Sequence, residues 1–147
     1  MLLELSSFLH FLGLAFGLGG ATIAAIISRK AEKDAELGKQ SMKLMLPISK
    51  LIWLGLILLI ISGVGLAFMI KWPVNKNLLI IKHVLVFWIF VFGIVIGKKA
   101  RKMEKLAPLN SKSKISQEFL KTKRQLKIFG MINLILWYLV TLLSVFV

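Results

Sequence analysis

Four long apolar runs dominate the hydrophobic pattern of the chain, with charged segments between them. Each run is 20 or 21 residues long and carries at most one permanent charge. At a rise of about 1.5 Å per residue, a helix of this length crosses a hydrocarbon layer of about 30 Å. The runs cover residues 8–28, 51–70, 78–97 and 128–147. The pattern predicts an all-α membrane protein, a single domain over residues 1–147 that forms a four-helix transmembrane bundle with up-down-up-down topology.

Basic residues are concentrated in the two long connections between the predicted spans. Residues 29–50 carry six basic residues against three acidic ones, and residues 98–127 carry eleven against two. Because cytoplasmic segments beside membrane spans are enriched in lysine and arginine, both connections are predicted on the cytoplasmic side of the inner (cytoplasmic) membrane, with the N- and C-termini outside. Good helix formers predict that the helices continue into both connections. Pro47 and Pro108 are expected to punctuate the connections, and Ser116 to cap the last helix.

The overall composition excludes several classes of protein. Hydrophobic residues make up 58% of the chain and the mean hydropathy is +0.85, which is too apolar for a soluble domain of this size. Cysteine is absent, so disulfides, thiolate metal sites and cysteine nucleophiles are excluded. In a soluble protein, the net charge of +14 would suggest nucleic acid binding. Here the charge lies beside the spans, which favours anionic lipid headgroups at the cytoplasmic face and no nucleic acid partner.

The two histidines of the chain, His10 and His83, each stand near the start of a predicted span. With the termini outside, spans one and three both run inward. The two side chains are therefore expected at one depth near the outer face, where a bundle would direct them towards a common interior. They are 73 residues apart, half of the chain length, and each opens a unit of helix, basic connection and helix. The spacing fits two pseudo-repeated helical hairpins, or simply two connections of similar length.

A haem b with two axial imidazoles suits this geometry. Gly13 and Gly17 continue the face of the first histidine at helical spacing, which leaves room for another backbone or a flat ligand. Phe87 and Phe90 lie on the face of the second histidine and would form an apolar wall. The predicted cofactor site consists of His10, His83, Gly13, Gly17, Phe87 and Phe90, with the two histidines as iron ligands.

Other uses of the histidines and of the nearby lysines stay open. Two imidazoles without a carboxylate, cysteine or third histidine make a poor zinc or copper site. A metal or proton site is nevertheless an alternative, and so is packing in which water or a serine hydroxyl satisfies each ring. Lys71, Lys76 and Lys82 are available to anionic propionates, or they only solubilise the turn. Lys82 is about 100° around the helix from His83, so we expect it to reach for the surface.

The segment LHFLGLAFGLGG at 9–20, with three further spans and the Lys82–His83 pair in the third, resembles small four-helix membrane haem and porphyrin proteins. This group includes copper-resistance D-like proteins, the HemJ-type protoporphyrinogen oxidase and membrane cytochromes b. The resemblance implies association with haem or porphyrin, with His10 matching the first-helix histidine. HemJ-like chains carry a tryptophan and a Leu-Pro-Arg segment later in the first helix, where this sequence has GGATIAAIISRK at 19–30.

These observations predict an integral membrane b-type haem protein that transfers electrons between a membrane or periplasmic redox partner and an acceptor. Assembly into a homo-oligomer is left open. One alternative is a HemJ-like protoporphyrinogen oxidase. Another is a non-catalytic membrane subunit or small carrier whose histidines only pack. The cytochrome would show a haem spectrum, the oxidase would turn over protoporphyrinogen, and the subunit would be colourless.

Overall fold

The computed structural model describes residues 1–32, 35–69, 75–106 and 117–146. In these ranges the chain is almost entirely helical and contains no strand. Four of the helical stretches within them are long and apolar enough to cross a membrane, which confirms the predicted all-α membrane fold. The helices are α1 (Leu2–Leu14), a π-helical segment (Ala15–Gly19), α2 (Gly20–Ala31), α3 (Ala35–Met69), α4 (Lys76–Leu106) and α5 (Gln117–Leu143).

Most of the helices are longer than the apolar runs that predict them. α1 begins at Leu2 instead of residue 8, and α4 continues to Leu106, well past the end of its apolar run at residue 97. The prediction that helices continue into the basic connections is therefore confirmed for α4, whereas α2 ends at Ala31, only three residues into the first connection. Pro47 does not interrupt its helix but lies inside α3, because a proline removes one backbone hydrogen bond without necessarily ending a long helix. Pro108 and Ser116 lie outside the described residues.

Two closely packed hairpins make up the bundle. The first span, which comprises α1, the π-helical segment and α2, packs along α3, and α4 packs along α5. The hairpins meet where α2 contacts α5 and around a small core drawn from all four spans. The core residues are Ala21, Leu56, Ile89, Trp137 and Val140. Many other large apolar side chains are exposed on the outside of the bundle, as expected for helices surrounded by lipid.

Three glycines bring the first span and α3 into backbone contact. Gly13 and Gly17 lie about one turn apart, and Gly55 of α3 lies against both. An ideal Cβ placed on Gly55 would lie 2.7 Å from the Gly13 carbonyl oxygen and 2.8 Å from the Gly17 Cα. Small residues at this spacing let helices approach closely in lipid, where packing holds helices together without a hydrophobic driving force. We call these three residues the glycine contact.

The π-helical segment brings the first span against α5. A single wider turn inside an α-helix rotates the residues that follow it around the helix axis. Gly17 lies in this segment under the ring of Trp137, and an ideal Cβ on Gly17 would lie 2.7 Å from the Cζ3 atom of that ring. α4 is α-helical over its whole length, so the two hairpins differ at this point. Internal duplication of the hairpins therefore stays an interpretation.

The end of the bundle that carries the long connections, here called the basic end, has ion pairs between helices. Lys127 of α5 donates a hydrogen bond to the carboxylate of Glu32, the residue after α2, over 2.9 Å. Lys102 of α4 pairs with Glu118 of α5 over 2.7 Å. Both pairs link α5 to another span. The opposite end, where both chain termini lie, is called the terminal end.

The Glu32–Lys127 pair is expected to make the fold less stable as the pH falls into the acidic range. The hydrogen bond from Lys127 lowers the pKa of Glu32 below its usual value of 4.5, and nearby positive charges add to the effect. The pKa of Glu32 is lower in the folded state than in the unfolded state. The pair therefore stabilises the fold at pH values above the pKa of the unfolded state, and this contribution is lost as the pH falls through the pKa of the folded state. Glu32→Gln should therefore lower the midpoint of thermal unfolding near neutral pH but not in stronger acid, where the wild-type carboxylate is protonated as well. The effect should be small, because exposed ion pairs contribute little to stability.

The measurement is helicity against temperature in detergent, for wild type and variant, at several pH values from about 7 down to about 3. A difference between the two midpoints that stays constant over this range would contradict the role assigned to the pair.

Candidate functional site

His10 lies in α1 near the terminal end, half-buried against α3. Its Nδ1 atom is 3.0 Å from the hydroxyl oxygen of Ser62, a residue of α3 that is only 2% exposed. The Ser62 hydroxyl donates to the carbonyl oxygen of Leu58 over 2.6 Å. Because its single proton is used there, the serine oxygen accepts the hydrogen bond from His10 Nδ1–H. This contact fixes the tautomer and, within the described part of the chain, leaves Nε2 as the ring atom that is able to bind a ligand.

Small residues of α3 lie beside the His10 ring. An ideal Cβ on Gly63 would lie 3.9 Å from His10 Cε1, and one on Gly65 would lie 3.1 Å from the Ser6 hydroxyl oxygen. Because both residues are glycines, α3 carries no side chain at these two positions next to α1. The segment SGVG at 62–65 interrupts a run of large apolar residues, and that interruption is the sequence signal for this part of the site.

Lys82 of α4 lies on the side of the bundle that faces His10. It is half-buried, and it shares a helix face with Leu85 and Ile89, which belong to the core of the bundle and the shell around it. Its ammonium lies within electrostatic range of the His10 imidazole. This position differs from the expected one at the surface, because α4 is rotated so that Lys82 faces inward. Within the described residues no carboxylate pairs with Lys82.

His83 lies on the exposed face of α4, with exposed Phe87 one turn further along. Its Nδ1–H donates to the carbonyl oxygen of Leu79 in the same helix over 2.7 Å, since a carbonyl only accepts. Successive helical residues are about 100° apart, so the rotation that turns Lys82 inward turns His83 outward. The structure therefore does not bring His83 into the half-buried site of His10, as the common-interior expectation requires.

The other residues of the predicted cofactor site serve the packing of the bundle. Gly13 and Gly17 belong to the glycine contact, so the gap expected beside the first histidine is filled by α3 and by Trp137. Phe90 packs edge to face against Trp53 of α3, with ring centroids 5.4 Å apart and planes at 85°. The sequence left open whether Gly13 and Gly17 make room for another backbone or for a flat ligand. In the structure, the backbone of α3 lies against them.

Two polar atoms in the described residues are buried without a hydrogen-bond partner. They are the indole nitrogen of Trp137 and the amide oxygen of Asn133, which lie one turn apart on α5. One donates and the other accepts, and buried polar atoms of this kind are commonly satisfied by internal water. These atoms lie on a different span from His10, Ser62 and Lys82.

Comparison with protein families gives a match over nearly the whole chain. A family model described as "Predicted integral membrane protein (DUF2269)" matches residues 4–146, which is nearly the whole chain. No curated protein and no solved structure matches the chain. The match agrees with a chain that spans the membrane, and it names no ligand.

Proposed function

We propose that this chain, which belongs to the DUF2269 family of predicted integral membrane proteins, binds a b-type haem in the membrane and transfers electrons through it. The observation that carries the proposal is the His10 imidazole, whose Nδ1–H is held by Ser62 while Nε2 is left for a ligand. Metal-ligating histidines are held in this way, with the second ring nitrogen donating to a neighbouring oxygen. His10 thus fits an axial ligand. Gly13 and Gly17 do not fit as the gap for a macrocycle, because protein atoms fill the space beside them.

Each group of the site has a defined part in this proposal. His10 Nε2 supplies a nitrogen ligand, and Ser62 restrains the ring by accepting from Nδ1. The Lys82 ammonium offers a positive charge to a propionate from the same side of the bundle. When bound, the haem supplies a reversible one-electron change at iron. The apolar helices around His10 would limit the access of water to a bound haem.

His83 enters the proposal as a second axial ligand that requires its own test. Its Nε2 has no hydrogen-bond partner in the described residues, but its ring lies on the exposed face of α4. Ligation by both histidines requires α4 to rotate by about 100°, so that His83 takes the inward position of Lys82. Ligation by His10 alone would make His10 the single protein ligand of the iron.

The experiment is the dithionite-reduced minus oxidised optical spectrum of the detergent-purified chain from cells supplied with haem. We expect a haem spectrum in the wild type that His10→Ala abolishes. Ser62→Ala should weaken haem retention by about tenfold, because Nδ1–H loses its acceptor and the ring is no longer oriented. Ser144→Ala is the matched control, since that serine directly follows α5 and donates to the carbonyl oxygen of Val140 in that helix, so the spectrum should be unchanged.

His83→Ala separates the two forms of ligation. A low-spin spectrum that is lost in both histidine variants supports two axial histidines, and loss in His10→Ala alone supports a single ligand. A colourless wild type from haem-supplied cells would refute the haem proposal.

A HemJ-like protoporphyrinogen oxidase is the second candidate, and the position of Lys82 favours it. A half-buried ammonium that acts on an imidazole with an available Nε2 would give an anionic tetrapyrrole both a charge partner and a proton acceptor. Turnover of protoporphyrinogen by the purified chain distinguishes this candidate from a cytochrome. A chain that is colourless and shows no turnover would instead be a non-catalytic membrane subunit or small carrier.

We further propose that the site lies near the outer face of the inner membrane, with both termini outside. The excess of lysine and arginine at the basic end supports this orientation, because such residues are enriched on the cytoplasmic side. The redox partner would then approach His10 from within the membrane or from the periplasmic side.

A further inference from the structure

Four basic side chains line an open groove at the basic end of the bundle. The groove has a volume of about 300 Å³ and is lined by Lys98, Arg101, Lys102 and Lys105 of α4. Relative to the first of these residues, the others stand three, four and seven positions along, so all four occupy one face of the helix. Like charges at these spacings repel and destabilise a helix, and a bound anion would offset that repulsion.

Two other cations at this end, Lys99 and Lys127, already have partners. Lys99 donates a hydrogen bond to Gln125 over 2.7 Å, and its ammonium lies 5.4 Å from the centre of the Phe129 ring. Lys127 pairs with Glu32.

Among the four groove residues, Lys102 pairs with Glu118. Within the described residues, Lys98, Arg101 and Lys105 have no ion pair. Among the described residues, the groove therefore concentrates three positive charges without an ion pair on one helix face.

The depth of the groove indicates what kind of anion it meets. Lys98 directly follows the apolar run that ends at residue 97, so it lies where the hydrocarbon layer ends. At about 1.5 Å per residue, Lys105 lies about 10 Å further along α4. The headgroup layer on each side of a bilayer is about 5–8 Å thick. The groove thus spans the whole headgroup layer, with more positive charge than one phosphate would neutralise.

We propose that this groove binds the headgroup of an anionic phospholipid with two phosphate groups, of the diphosphatidylglycerol type. Basic pockets beside membrane spans recognise such headgroups. Arg101 has a planar guanidinium that donates two parallel hydrogen bonds to one phosphate, and Lys98 and Lys105 place point charges on either side of it. The proposal does not depend on the haem site, which lies near the terminal end.

The test is native mass spectrometry of the detergent-purified full chain with diphosphatidylglycerol, and with phosphatidylglycerol at equal total charge. The wild type should retain one diphosphatidylglycerol per chain, about tenfold more strongly than phosphatidylglycerol. The variant Lys98→Gln/Arg101→Gln/Lys105→Gln should lose this retention by about tenfold or more. All three residues are exposed, so the variant should keep the wild-type helicity, which circular dichroism checks.

The matched control is Lys43→Gln/Lys50→Gln/Lys121→Gln, which removes the same charge from exposed residues outside the groove. It should retain diphosphatidylglycerol within about twofold of the wild type. Equal losses in the two triple variants would overturn the proposal, because retention would then follow overall charge. Equal retention of both lipids by the wild type would also overturn it. So would retention of inorganic pyrophosphate without retention of the lipid, since the groove would then bind a soluble phosphate compound.

Discussion

Replacing Trp137 with alanine is expected to lower the free energy of unfolding by about 3 kcal/mol. Trp137 is 1% exposed, belongs to the core shared by all four spans, and covers Gly17 with its ring. Truncation leaves a cavity that rigid neighbouring helices fill only in part. We expect the low end of the range for buried aromatic residues, because lipid tails compete with the protein for apolar surface. The measurement is a titration with sodium dodecyl sulfate in mixed micelles, in which the loss of helicity reports the unfolding.

Trp88→Ala is the control for this variant, since Trp88 is 47% exposed on α4 and should cost less than about 0.5 kcal/mol. A double-mutant cycle tests the contact itself. Gly17→Ala places a Cβ against the Trp137 ring, so it should destabilise the wild type more than the Trp137→Ala protein, by about 1 kcal/mol or more. Strictly additive losses would contradict the contact.

Gly55→Ala is expected to lower the free energy of unfolding by about 2 kcal/mol. The added Cβ would lie 2.7 Å from the Gly13 carbonyl oxygen and 2.8 Å from the Gly17 Cα, and it would also contact the Gly17 amide nitrogen. These are backbone atoms, which no side-chain rotation moves away. Overpacking of this kind costs up to about 3 kcal/mol, and the better helix propensity of alanine returns about 1 kcal/mol. The same micelle titration measures the effect.

Three glycines with no atom near their Cβ positions serve as controls for Gly55→Ala. They are Gly19, Gly97 and Gly130, at each of which an added Cβ would meet nothing within 4 Å. Alanine at these positions should leave stability unchanged or raise it by up to about 1 kcal/mol. Destabilisation at the control sites as large as at Gly55 would show that loss of glycine as such, and not the glycine contact, is responsible.

The number and type of spans could be predicted because length and lack of charge alone decide whether a helix crosses a membrane. The ends of the helices were harder to predict from the sequence. The effect of Pro47 depends on how firmly the rest of the helix is held, and α3 extends on both sides of it. The π-helical segment leaves no mark in the hydrophobic pattern, because it changes the position of residues around the axis without changing their polarity.

The site could be predicted only in part because lipid makes the faces of a span hard to distinguish. The run at 78–97 is apolar on nearly every side, so its hydrophobic pattern does not show which side faces protein. Lys82 and His83 are adjacent, and only packing against the neighbouring spans decides which of them turns inward. His10 was easier, because the small residues that follow it mark its face as one that meets another helix. Its partner Ser62 belongs to a different span, and sequence spacing does not pair residues across spans.

The glycine contact also bears on the order in which the protein is assembled in the cell. All three of its residues lie in the first span and α3, so it needs nothing from α4 or α5. Gly55 precedes the start of α5 at Gln117 by 62 residues (117 − 55), which corresponds to several seconds of synthesis at about 5–20 residues per second. The N-terminal hairpin therefore has time to close while the ribosome is still translating the C-terminal half. Trp137 can cover Gly17 only after α5 is made, so this contact is added to a pair of helices that has already had time to join.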